Sequence, residues 1–226
     1  RKLREKWGIE GPILDMVRVL EKHGIFVSSL PTGSEEIDAF SQPSYQKGEN
    51  EYTICVILGS EKESAVRRQF CAAHELGHLV LHNWAIDVEE LKTAEFRNQE
   101  DEANCFAGAF LLPAEEFSSD VRRFSLRLDT FVQLKQKWHV SIGAQIIRAH
   151  NLGLVDDEEY TRLMKSYSAR GWRREEPFDG VFGLEKPVLA QMAINLLFEK
   201  NVFSPRTLLD EFSNTGISLH PDFIEE

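Results

Sequence analysis

The sequence predicts an α+β fold, a few-stranded sheet packed on helices and followed by an all-helical C-terminal region. Three observations predict it. Strand-type segments occur only before residue 60. A His74-Glu75-Leu76-Gly77-His78 motif lies in a stretch of helical periodicity. From Pro113 onward every regular segment reads as helix or turn. Hydrophobic residues make up 42% of the 226 residues, with 15 Phe, which suffices for a packed core.

The elements follow in order. Pro12–His23 reads as a helix, because Ile13, Met16, Val17 and Leu20 recur at helical spacing and Gly24 stops it. Ile25–Ser29 is a short strand, and Ile37–Phe40 a second. Gln42–Asn50 is polar and holds Pro43 and Gly48, so it is expected to be a loop. Tyr52–Leu58 is rich in β-branched residues and ends at Gly59, the pattern of a strand. Ser64–His82 carries the motif, with Ser64 as cap and Phe70, Ala73, Gly77, Val80 and Leu81 on the buried side. Residues 83–98 form an acidic connection, read as a rim over a cleft. Gln99–Leu112 is a second helix, with a stripe of Ala103, Phe106, Ala107, Phe110 and Leu111, and Pro113 breaks it. Leu128–Trp138, Ser141–Asn151, Asp156–Ser168, Glu185–Lys200 and Ser204–Ser213 are the later helices. Strand signals end and a basic segment begins near residues 115–125, so two regions are expected, 1–120 and 121–226.

Composition excludes several classes. No run of 18 apolar residues predicts a transmembrane helix. Three scattered cysteines, Cys55, Cys71 and Cys105, make neither a disulfide framework nor a cysteine zinc site, and a reducing cytoplasm is expected. A net charge of −11 argues against indiscriminate nucleic-acid binding. The charge is uneven: residues 121–176 hold 11 Lys and Arg against 7 Asp and Glu, which suggests a second functional surface.

The motif carries the chemistry. His74 and His78 sit one helical turn apart on one face, so both rings reach one metal ion, expected to be zinc. Glu75 is placed to take a proton from water activated by that metal. His82 continues the row, but it lies about 12 Å from His74 along the axis at roughly 1.5 Å per residue, too far to share an ion. The third ligand is sought on the second helix. Glu100 and Asn104 share a face at i, i+4, and Glu102 is rotated by about 200° from Glu100, which favours Glu100. Asn104 is then placed to accept the free ring N–H of a ligand histidine. Cys71, three residues before His74, is a candidate inhibitory thiolate.

His74-Glu-Leu-Gly-His78, followed by Glu100-x-x-Ala-Asn-x-Phe-Ala107 and Phe-Leu-Leu-Pro113, resembles the ImmA/IrrE family of bacterial metallopeptidases. Ile37-Asp-Ala-Phe40 upstream also looks like that family. Trp138 to Arg148, Leu152-Gly-Leu154 and Gly171 to Pro177 resemble its longer, regulator-like members. The resemblance implies a small zincin-like fold, with His74, His78 and Glu100 as zinc ligands and Glu75 as the catalytic carboxylate. It implies a bacterial or phage-related protein that cleaves a DNA-binding repressor or antitoxin, itself a helix-turn-helix protein. Longer relatives carry an N-terminal helix-turn-helix domain, and a chain that opens on Arg1 is read as lacking it.

Three further expectations follow. Tyr52–Leu58 either pairs with an extended substrate by strand addition or lies inside the sheet. Tyr45, Tyr52 and Tyr167 are unranked candidates for a second oxyanion donor. Phe131–Leu154 has the outline of a helix-turn-helix, with Gln145, Arg148 and His150 as candidate DNA contacts, or else it is an ordinary helical pair. The primary reading is a regulatory zinc endopeptidase. The alternative is a non-catalytic regulator that binds DNA or a toxin through a metal-stabilised fold.

Overall fold

The computed structural model describes residues 1–29, 39–45, 52–58, 64–82, 93–184 and 186–214. The chain forms two compact units, Arg1–Lys186 and Pro187–Glu226.

The first unit opens with α1 (Lys2–Trp7) and α2 (Met16–Lys22). The Asp15 side chain accepts from the Arg18 N–H and so starts α2 later than the Pro12 boundary expected from periodicity. Three strands follow, β1 (Phe26–Ser29), β2 (Ala39–Tyr45) and β3 (Tyr52–Leu58), in spatial order β1-β3-β2. β1 runs parallel to β3, pairing Phe26 with Cys55, and β2 runs antiparallel, pairing Ala39 with Leu58 and Tyr45 with Tyr52. β3 is therefore the central strand, with both edges taken, and strand addition to it is excluded. β2 also corrects the loop expected at Gln42–Asn50, since it runs to Tyr45 through Pro43. Ladder pairing outweighs local turn chemistry, and an outer strand tolerates the N–H that proline lacks. Residues 46–50 lie outside the described residues.

The motif helix α3 (Ala65–Leu81) packs on α4 (Thr93–Leu111). Ala73 and Gly77 are buried as expected, and Phe70 is half-buried. Val80 and Leu81 are each 49% exposed, so the buried face ends one turn before the helix does. Ser64 occupies the cap position of α3 without a side-chain cap bond. α4 begins at Thr93, so 93–98 is helix rather than connection, and 83–92 lies outside the described residues.

Next come α5 (Ala114–Arg122), which starts directly after Pro113, α6 (Leu128–Trp138), α7 (Ile142–Asn151) and α8 (Asp157–Ala169). Pro113 both ends α4 and, with its fixed φ, opens α5. The left-handed His139 (φ 51°) ends α6, Ser141 caps α7 by accepting from the Ala144 N–H, and an Asp156–Glu159 capping box starts α8. One apolar core runs through the unit, from Leu20, Val27 and Val56 through Leu76 and Phe110 to Phe117, Phe131, Trp138 and Ile146. This is why the chain does not divide near residue 120: the Trp138 indole and the Lys137 ammonium both donate to the buried Asp120 carboxylate (2.9 and 2.6 Å), joining α5 to α6. The compact units part after Lys186 instead.

A second buried polar cluster lies among α6, α7, α8 and the segment after α8. Lys135 is fully buried and donates to Glu176 (2.8 Å) and Asp179 (2.6 Å). Glu176 also accepts from the Ile142 and Gly143 N–H groups and from the Tyr167 hydroxyl.

The second unit holds α9 (Leu189–Glu199) and α10 (Pro205–Asn214), the latter opened by reciprocal Ser204–Thr207 bonds. Among the described residues, no helix is long and apolar enough to cross a membrane.

Candidate metal centre

The centre is built where α3 crosses α4, and the crossing is close because of two small residues. A Cβ on Gly77 would stand 3.1 Å from the Ala103 Cα and 3.2 Å from the Ala103 carbonyl oxygen. Gly77 of the motif thus lets the α4 backbone approach, and Ala103 supplies the smallest facing side chain.

At this crossing the nitrogen Nε2 of His74 lies 2.9 Å from Nε2 of His78. The Glu100 carboxylate faces both, with Oε2 at 3.3 Å from His74 and Oε1 at 3.2 Å from His78. These three side chains are the metal-competent cluster found among the described residues, and it contains no cysteine. Asn104, one turn beyond Glu100, presents Oδ1 to His74 Nδ1 at 3.0 Å.

The hydrogen-bond partners around the cluster assign the ring tautomers. The Asn104 oxygen only accepts, so His74 Nδ1 donates, and in the neutral ring Nε2 carries the lone pair. Glu102 Oε2 accepts from His82 Nε2 at 3.2 Å, leaving His82 Nδ1 to accept from His78 Nδ1 at 2.9 Å. His78 Nε2 then also keeps its lone pair. Burial, reinforced by His74 and His82, lowers the His78 pKa to about 4, so that ring is neutral near pH 7. Two imidazole Nε2 atoms and a carboxylate therefore converge on one point. A divalent cation fits this donor set, and the partly exposed side chains (16%, 20% and 36%) leave the point where they meet open to ligands.

Glu75, between the two histidines in sequence, is 6% exposed and interacts electrostatically with His74 and Glu100. Ser41, on β2, donates its hydroxyl to Glu75 Oε2 at 2.6 Å. Burial raises the Glu75 pKa, a trend opposed by the Ser41 bond and by His74 and reinforced by Glu100. The edge strand β2 is thereby tied to the motif helix beside the cluster.

Sequence reasoning placed His74, Glu75, His78, Glu100 and Asn104 together, and kept His82 out of the cluster. It missed Ser41, which sits in a stretch with no motif, and the Glu102–His82 pair. The one available sign of that pair was the i+4 step from His78 to His82.

The expected DNA contacts are placed differently. Gln145 is fully buried and its amide donates to the Val140 carbonyl at 2.7 Å, so it does not face a groove. The Arg148 Nε donates to the Leu112 carbonyl at 3.1 Å. His150 stacks on Tyr160 and meets Asp157 at 2.8 Å. α6 and α7 are joined by a short turn, and Gln145, one of the three expected contacts, serves as an interior brace. Tyr167 is likewise committed, its hydroxyl donating to Glu176, and the side chains of Tyr45 and Tyr52 lie outside the described residues.

The sheet, the two crossed helices and their His–His–Glu cluster define a zincin-like α+β domain. Over residues 20–150 the chain matches the Peptidase_M78 family, described as the IrrE N-terminal-like domain, and it belongs to that family. No curated protein matches the chain. Among solved structures it is similar to a Mycobacterium tuberculosis transcriptional regulator, at 22% identity and a TM-score of 0.45, over 65% of this chain and 44% of that one.

Proposed function

We propose that this protein is a zinc-dependent endopeptidase of the cytoplasm that regulates gene expression, or a stress or phage response, by cleaving a DNA-binding repressor or antitoxin. The observation that carries this reading is Glu75: a buried carboxylate beside an open His–His–Glu cluster, held by a side-chain bond from Ser41. A metal that only braced a fold would need no such base and would leave no open position.

His74, His78 and Glu100 would hold the metal, which supplies Lewis acidity to water and to the scissile carbonyl when bound. Asn104 fixes the His74 ring, and the Glu102–His82 pair fixes His78. Glu75 takes a proton at its carboxylate and delivers it to the leaving amine, and its raised pKa moves it towards the range in which a base works at neutral pH. Ser41 keeps the Glu75 carboxylate aimed while it waits. β2, rather than β3, offers the edge for an extended substrate.

The test is incubation of a helix-turn-helix repressor encoded beside this protein with wild type and with Glu75→Gln. Glu75→Gln is expected to retain metal and lose cleavage by about 10²–10⁴-fold; full activity in that variant would remove Glu75 from the mechanism. His74→Ala and Glu100→Ala are expected to lose most bound zinc, and stoichiometric zinc in Glu100→Ala would move the third ligand elsewhere.

A further inference from the structure

A cleft of about 990 Å³ starts at Asn104, the residue that holds His74, and runs between the first half of α3, α4, α7, α8 and the segment after α8. Four arginines line it, Arg67, Arg148, Arg173 and Arg174. Among the described residues none of the four forms an ion pair. Their bonds are to neutral oxygens: Arg148 to the Leu112 carbonyl, Arg173 to the Ser168 hydroxyl, and a long contact of 3.5 Å from Arg67 to the Arg173 carbonyl. The acidic groups in the wall do not offset them evenly. Glu176 and Asp179 are already engaged by Lys135, Tyr167 and backbone N–H groups, which leaves Asp101. Between the arginines the wall is apolar, with Phe70, Ile147 (45% exposed) and Trp172.

An arginine-lined concavity with apolar walls in a chain of net charge −11 is a local reversal of sign, and low-dielectric walls focus its field. We propose that this cleft receives the part of the substrate chain next to the scissile bond, and that it selects segments in which acidic side chains alternate with apolar ones. The proposal rests on the peptidase reading above. Position supports a peptide as the occupant: a chain lying along the cleft is continuous with whatever stands at the cluster, because Asn104 borders both. Size supports several side chains rather than one, since the volume is at the top of the range for sites that enclose a drug-sized molecule. Guanidinium groups recognise carboxylates in a planar two-point manner that lysine does not match.

The experiment uses the full chain as the zinc-loaded Glu75→Gln variant and three labelled peptides with identical apolar residues, carrying Glu, Gln or Lys at the alternate positions. Fluorescence anisotropy is expected to rank Glu over Gln over Lys, with about tenfold between the extremes and a loss of that preference as salt is raised. Reversing two of the exposed charges, Arg67→Glu with Arg174→Glu, is expected to erase the preference while metal content and circular dichroism stay unchanged. The milder pair Arg67→Gln and Arg174→Gln is expected to reduce it by about threefold, which guards against misfolding of the reversed variant. Equal binding of all three peptides, or an acidic preference untouched by either pair, overturns the proposal. So does tighter binding of an oligothymidylate of matched charge, which would assign the cleft to nucleic acid. Wild type that cleaves partner protein without acidic preference removes the cleft proposal alone. Arginine-dependent binding of the acidic peptide with no cleavage by wild type removes the peptidase reading and leaves the cleft as an acidic-peptide site.

Discussion

The first compact unit holds two gatherings of carboxylates and their partners, and they are completed in opposite ways. Around Lys135, two carboxylates meet a cation that the chain itself supplies, and Glu176 is further satisfied by the N-terminus of α7 and the Tyr167 hydroxyl. Around Glu100, a carboxylate meets two imidazole nitrogens and, among the described residues, no lysine or arginine. The first cluster is closed, with a side-chain exposure of 0% for Lys135 and 5% for Glu176, whereas the second is open to solvent on one side. A protein that can bury a lysine between two acids has the means to neutralise Glu100 internally. That it brings lone pairs there instead marks the cluster as a place for an ion from outside.

This contrast can be broken or sharpened by substitution. The largest effect is expected from Lys135→Ala, which leaves Glu176 and Asp179 buried without their cation. It should destabilise folding by about 3–5 kcal/mol in urea denaturation while leaving the metal stoichiometry of the folded fraction unchanged. Native stability in that variant would mean that the backbone N–H groups and Tyr167 suffice to hold Glu176. Gly77→Ala comes next. Its new methyl meets Ala103 backbone rather than a movable side chain, so thermal denaturation should show a loss of about 1–3 kcal/mol together with weaker metal binding. A neutral result would mean that α3 and α4 separate freely. Asn104→Ala should affect folding least, within roughly 0.5 kcal/mol in the presence of chelator, because its side chain is exposed. Competition with a zinc indicator should nevertheless show a 10–100-fold loss of metal affinity, roughly the cost of an unoriented ligand histidine.

The open cluster was far more legible in the sequence than the closed one, for physical reasons. His74, Glu75 and His78 belong to one helix, where a fixed turn converts spacing into geometry, and Glu100 with Asn104 repeats that conversion on a second helix. β3 was legible because its β-branched run is packed on both sides. Lys135, Glu176 and Asp179 are separated by some forty positions and meet only through tertiary packing, and a lysine in an amphipathic helix reads as a solvent-facing residue until its neighbours are known. Gln145 is opaque for a different reason: its partner, the Val140 carbonyl, is near in sequence but lies before the α7 cap, and only packing turns the side chain inward. The second half of β2 is hidden in the sequence because Pro43 and its polar neighbours carry turn chemistry, while the partner that overrides it is β3, later in the chain. α5 was hidden because Pro113 was read for the helix it ends and not for the one it begins.

The two crossed helices also act as the rails of a ladder. His74, His78 and His82 stand along one rail and just past its end, and Asn104, Glu100 and Glu102 reach across from the other as rungs. A slide of α4 by a single residue, about 1.5 Å, would mismatch every rung together.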